Sequence, residues 1–63
     1  MTDGQYRAIV AYLNFWAPRY PHFDLDRAIR DIGITDSRAD VIEQLAEAGH
    51  HWNDEAGRLK YRD

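Results

Sequence analysis

Four chain breakers, Pro18, Gly33, Gly49 and Gly57, leave no uninterrupted stretch long enough for more than a modest helix or a hairpin. Between the first three, apolar residues recur at helical spacing. After Gly49 they alternate. The pattern predicts three helices, near 4–17, 24–32 and 36–48, then a hairpin with strands near 50–53 and 58–62. With 63 residues the chain is expected to form a single domain, 1–63, close to the lower limit for folding on one core.

Each element has legible ends. Thr2 and Gln5 have capping-box spacing, and Tyr6, Ile9, Val10, Leu13 and Ala17 fall on one arc of the first helix. Pro18 is expected to push Ala17 out of helical geometry. Arg19 to His22 reads as a stiff connector with room for a short extended piece. Asp24 suits the N-cap of the second helix, with Phe23 before it placed to staple onto Ala28. Leu25, Ala28, Ile29 and Ile32 form its apolar face. Gly33 fits a left-handed cap, with Ile34 beyond it placed to touch Ile29. Asp26 with Arg30, and Arg27 with Asp31, are spaced for ion pairs on its outer face.

The third helix opens at Thr35, Asp36 or Ser37. Val41, Ile42, Leu45 and Ala48 are expected to face inward before Gly49 ends it. With Asp54 to Gly57 as the hairpin loop, Asn53 faces Arg58, Trp52 faces Leu59, His51 faces Lys60 and His50 faces Tyr61. That register sorts His50, Trp52, Leu59 and Tyr61 onto one face, and His51, Asn53, Arg58, Lys60 and Arg62 onto the other. Trp52 and Tyr61, with Phe23, Tyr6 and Trp16, are assigned to the core.

Composition narrows the function classes. The chain has no cysteine, which removes disulfides, thiol catalysis and cysteine-ligated zinc. Its longest apolar run, Ala8 to Leu13, is far short of the roughly 20 residues of a membrane helix. An acidic third residue argues against a signal peptide, so a cytoplasmic protein is expected. Eight basic and eleven acidic side chains give a net charge of −3, the wrong sign for indiscriminate binding to nucleic acid or anionic lipid.

The order of helix, helix, glycine turn, helix, glycine and two-stranded hairpin resembles the winged helix-turn-helix superfamily. The residues that carry the likeness are Leu25 to Thr35, then Ala39, Ile42, Leu45, Ala48 and Gly49, then His50 to Arg62 as the wing. They cover about two-thirds of the chain, from Phe23 onward. One departure is Ala28, which stands one position earlier than the superfamily's usual small residue. The resemblance implies a third helix placed in the major groove of DNA and a wing laid against the backbone or minor groove. Many winged domains bind proteins instead, so the surface residues have to decide.

Those surfaces point in opposite directions. The outer face of the third helix carries Asp36, Asp40, Glu43, Gln44 and Glu47, and its one basic residue, Arg38, lies toward the buried side. Four carboxylates there would repel a duplex. Asp36–Asp40 and Glu43–Glu47 are moreover like-charge pairs at i,i+4. The wing is basic instead, with Arg58, Lys60 and Arg62 projecting from one strand face and His51 beside them. Tyr12 and Phe15 fall opposite the core stripe of the first helix. Either they form an exposed aromatic anchor or they pack under the connector.

Chemistry has little support. Ser37 is the only serine, and the glycines are dispersed rather than gathered in a phosphate-binding loop. His22, His50 and His51, with Asp24, Asp54 or Glu55, are the only candidate metal ligands. His50 and His51 are strand neighbours that point to opposite faces. No enzyme, metal or other cofactor is expected. The leading expectation is a protein-binding module using Asp36, Asp40, Glu43, Gln44 and Glu47, with Tyr12 and Phe15, against a partner with a basic or apolar surface. By general analogy of size and charge, it fits the small phage and mobile-element proteins that block host nucleic-acid machinery. The alternative is a small DNA-binding regulator acting through Arg58, Lys60, Arg62 and His51 as a homodimer.

Overall fold

The computed structural model describes residues 1–20 and 23–61. Three helices, α1 (Asp3–Trp16), α2 (Leu25–Ile32) and α3 (Arg38–Glu47), precede a two-stranded antiparallel hairpin of β1 (His50–Asn53) and β2 (Arg58–Tyr61). The protein is thus mainly helical with a C-terminal hairpin.

The ends of the helices follow from side chains that satisfy orphan backbone groups. The Thr2 hydroxyl accepts from the Gln5 amide at 3.1 Å, and the Gln5 side chain accepts from the Thr2 amide at 3.0 Å. Asp24 accepts from the Arg27 amide at 2.8 Å. Ser37 accepts from the Asp40 amide at 3.2 Å, which settles the start of α3. Gly33 closes α2 with φ of 84°, and the Ile34 amide donates back to the Ile29 carbonyl at 3.0 Å. This is the left-handed exit expected of glycine at that position.

Pro18 acts less abruptly than expected. Ala17 stays in right-handed helical geometry, with φ −57° and ψ −44°. The amides of Arg19 and Tyr20 both donate to the Trp16 carbonyl, each at 3.0 Å, so the chain coils one further turn past the proline. Ala17 is thereby kept in the core. Pro21 and His22, the rest of the connector, lie outside the described residues.

The core is built from Ile9, Leu13 and Ala17 of α1 and its exit, Phe23, Leu25 and Ala28 of α2 and its approach, Ile34, and Val41 and Leu45 of α3. Tyr6, Val10, Tyr12, Trp16, Ile29, Ile32, Ile42, Trp52 and Leu59 pack around it. α1 lies against α2 and β2, and α3 lies mainly against β1. Ala48, expected inside, is exposed, because α3 ends at Glu47 and the chain turns away toward Gly49.

The hairpin adopts the expected register, with His50 opposite Tyr61, His51 opposite Lys60, Trp52 opposite Leu59 and Asn53 opposite Arg58. Gly57 takes φ of 62° and donates to the Asn53 carbonyl at 2.8 Å, closing the loop. Tyr61 departs from expectation. It is 62% exposed rather than part of the core. The His50 ring occupies the inner position, 5.9 Å from the Tyr6 ring and 4.8 Å from the Tyr61 ring, and leaves the tyrosine outermost.

Candidate functional site

The acidic side chains sort into two groups, those engaged within the fold and those left free. Asp36 belongs to the first. It stands before Ser37 and outside α3, where the Met1 ammonium donates to it at 2.8 Å and the Gln44 amide at 2.7 Å. Gln44 also accepts from the same ammonium at 2.9 Å. The hydrogen bond from Met1, and then that from Gln44, hold the Asp36 carboxyl below its usual range. The expected like-charge pair of Asp36 with Asp40 is therefore not a helical pair. Asp36 and Gln44, both counted on the outer face, instead join the chain's first residue to α3.

Asp26, Asp31 and Asp54 are engaged too. Asp26 pairs with Arg38 at 3.2 Å, not with Arg30 as its spacing predicts. Arg38 also donates to Asp54, which accepts from the Trp52 indole as well. One guanidinium thus links α2, α3 and the hairpin loop. Asp31 accepts from the Tyr12 hydroxyl at 2.8 Å and pairs with Arg27 at 3.7 Å, the latter at the expected i,i+4 spacing. That hydrogen bond, rather than the smaller desolvation, is the main cause of the raised Tyr12 pKa.

The second group holds Asp3 at the start of α1, Glu55 in the hairpin loop, and Asp40, Glu43 and Glu47 on α3. The three on α3 are exposed and have no side-chain hydrogen bond or ion pair to another described residue. At 100° per residue they fall within an arc of about 60° on α3, spread over about 10 Å of its length. Arg38 points about 180° away from Glu47 on that same wheel, consistent with its contacts to α2 and the loop.

Tyr12 and Phe15 part company. Tyr12 is half-buried, its ring 5.2 Å from that of Phe23 and its hydroxyl held by Asp31. Phe15 remains 50% exposed, edge-on to Trp16, with the Arg19 guanidinium 4.2 Å over its ring. The two do not make the exposed aromatic pair that helical angle alone suggests.

On the hairpin, His51, Arg58 and Lys60 are all exposed on one strand face, while Arg62 lies outside the described residues. Among the described residues no three His, Cys, Asp or Glu side chains converge as metal ligands, and His22 is not among those residues. No described helix is long and apolar enough to cross a membrane. Comparison with protein-family models, with curated proteins and with solved structures returns no match. Function has to be read from the chain's own residues.

Proposed function

We propose that the chain is a small non-enzymatic protein-binding module, winged-helix-like in its arrangement, that presents Asp40, Glu43 and Glu47 to a basic protein surface. The observation that carries this is the division of acids. The fold engages Asp26, Asp31, Asp36 and Asp54 with cations or donors, and leaves one continuous stripe of carboxylates on α3 without partners among the described residues. A stripe of fixed negative charge complements surfaces that ordinarily receive phosphates, so the partner class is a nucleic-acid-binding protein and the effect is to block or regulate it.

The duplex-binding alternative draws on the exposed Arg58 and Lys60, which with His51 make a modest basic face. Two lysine or arginine contacts give a shallow salt slope, about −0.9 per phosphate neutralised. The carboxylates of α3 would oppose entry of that helix into a groove.

A titration of purified chain against random-sequence duplex at physiological salt tests the choice, followed by competition between the chain and duplex for basic nucleic-acid-binding proteins. Weak duplex binding and effective competition are expected. The combined change of Asp40, Glu43 and Glu47 to Ala should keep the helical circular dichroism and abolish competition. Nanomolar affinity for duplex, lost in Arg58→Ala and Lys60→Ala, would overturn the proposal.

A further inference from the structure

The outer face of α1 is mostly uncharged, unlike those of α2 and α3. Six apolar residues in a row, Ala8 to Leu13, turn through about 500° of helix, so this stretch is apolar all round, a character that belongs to helices covered on every side. α2 and β2 cover one side of it. On the other side Gly4, Ala8, Ala11, Phe15 and Pro18 are all exposed, and their steps of four, three, four and three are those of a coiled-coil seam. Phe15, half exposed, is the large side chain of that row. We propose that this face of α1 packs antiparallel against the same face of a second copy of the chain, forming a two-fold dimer.

The pattern fits a second copy because it is self-complementary. Gly4 and Phe15 lie equally far from the point midway between Ile9 and Val10, and so do Ala8 and Ala11. A two-fold axis through that point sets each Phe15 over the other copy's Gly4, and each Ala8 against the other copy's Ala11. Large meets small at the ends and small meets small in the middle, which lets the helices approach to about 8 Å. Gly4 is also the glycine that the fold alone does not explain. It lies in α1 without the positive φ of Gly33, Gly49 and Gly57, and a Cβ there would meet nothing closer than the Thr2 hydroxyl, at 3.9 Å. Glycine costs helix propensity at a site with room for a side chain. A ring docking from outside explains why none is there.

The polar residues beside the seam match under the same axis. Asn14 of one copy falls between Asp3 and Arg7 of the other, where its amide can donate to the carboxylate and accept from the guanidinium. Neither Asp3 nor Arg7 has an ion pair among the described residues, and together they leave that flank neutral. The face is about 21 Å long and about 10 Å wide, which falls short of the about 800 Å² per partner of a standard interface. The dimer is therefore weak, half-dissociated at about 100 μM.

Sedimentation equilibrium between about 10 μM and about 1 mM tests the association, and the dimer should persist in about 1 M NaCl because packing rather than charge holds it. Gly4→Gln and Ala11→Gln add bulk at exposed helical positions without changing charge, and each should weaken dimerisation at least tenfold. Gly4→Gln should at the same time raise the midpoint of thermal unfolding of the dilute monomer. The acidic stripe of α3 takes no part, so changing Asp40, Glu43 and Glu47 to Ala should not weaken the dimer. In a mixture of isotope-labelled and unlabelled chains, a nuclear Overhauser contact should join the Phe15 ring of one copy to the Gly4 α protons of the other. Within one copy these groups lie about 16 Å apart along α1, too far for such a contact. A monomer at the highest concentration, a dimer that dissociates in high salt, association unmoved by the glutamine variants, a less stable Gly4→Gln monomer, or contacts from Phe15 to any other part of the second copy would each overturn the proposal.

Discussion

Replacing Arg38 with Met should destabilise the protein by about 1 kcal/mol, and the size of that loss follows from solvent access. The Arg38 Nε lies 3.2 Å from Asp26, and a terminal nitrogen donates to Asp54. The three side chains retain 40, 57 and 59% of their exposure, so neither carboxylate is stranded in an apolar site when the guanidinium is removed. Each rehydrates, and what is lost is a screened attraction of about 0.2–1 kcal/mol per pair. Met preserves most of the stem's packing, and the Trp52 indole still donates to Asp54. In a domain this small a loss of 1 kcal/mol lowers the midpoint of thermal unfolding by about 4–8 °C. Circular dichroism at about 20 mM and about 1 M NaCl provides the assay, since the screening length shrinks to about 3 Å at the higher salt. The difference between wild type and variant should fall by at least half. Double-mutant cycles with Asp26→Ala and Asp54→Ala should each return a coupling of about 0.5 kcal/mol. A loss above about 3 kcal/mol that survives 1 M salt would refute this reasoning, because only a desolvated charge behaves that way.

Two pH effects follow from the engaged carboxylates. Asp36 has a depressed pKa in the folded chain, so its contribution is present above the ordinary carboxylate pKa and is lost as pH falls through the depressed value. Acid unfolding followed by circular dichroism should show a shallower slope in Asp36→Asn than in the wild type, and an unchanged slope would disprove the assignment. Tyr12 has a raised pKa, so its contribution is complete below the ordinary phenol value and fades as pH rises through the folded one. Tyr12→Phe should remove that alkaline loss, read by tryptophan fluorescence above about pH 10.

What the sequence made legible was local. The capping box at Thr2, the N-cap at Asp24, the left-handed exit at Gly33 and the hairpin register each depend on residues a few positions apart, or on period-two alternation fixed by the loop. What it hid depends on where the elements meet. Asp36 looks like an outward helical residue until the Met1 ammonium, 35 positions away, is brought against it. Arg38 looked merely inward-leaning, since its partners Asp26 and Asp54 come from two other elements. Tyr12 falls opposite the core stripe on a wheel, yet α2 covers that side of α1 and supplies Asp31. Tyr61 sits on the inner face by alternation, but the strand ends where the core does, and His50 already fills the place. The three carboxylates of the proposed site stayed visible because no other described residue engages their side chains.

Two of those carboxylates, Glu43 and Glu47, work against the helix that carries them, whereas Asp40 in its first turn complements the dipole. Glu47 is in the last turn of α3, which has no basic residue, and stands four positions after Glu43. A negative charge at a helix C-terminus opposes the dipole by about 0.3–1 kcal/mol, and a like-charge i,i+4 pair adds about 0.2–0.5 kcal/mol. Glu47→Lys reverses both terms and creates a Glu-to-Lys pair in the more favourable order. After allowance for its exposed position and for salt, the gain should be about 1 kcal/mol. For a chain of this length that moves the urea midpoint up by about 1 M. If α3 is merely a solvated face, the variant is simply more stable. If Glu47 meets a basic partner, the same change places a cation against a cation, and competition for that partner should fall at least tenfold while stability rises. Urea unfolding and the competition assay on one preparation separate the two cases. A stabilised variant that competes as well as the wild type removes Glu47 from the interface, and a destabilised one refutes the electrostatic account of α3.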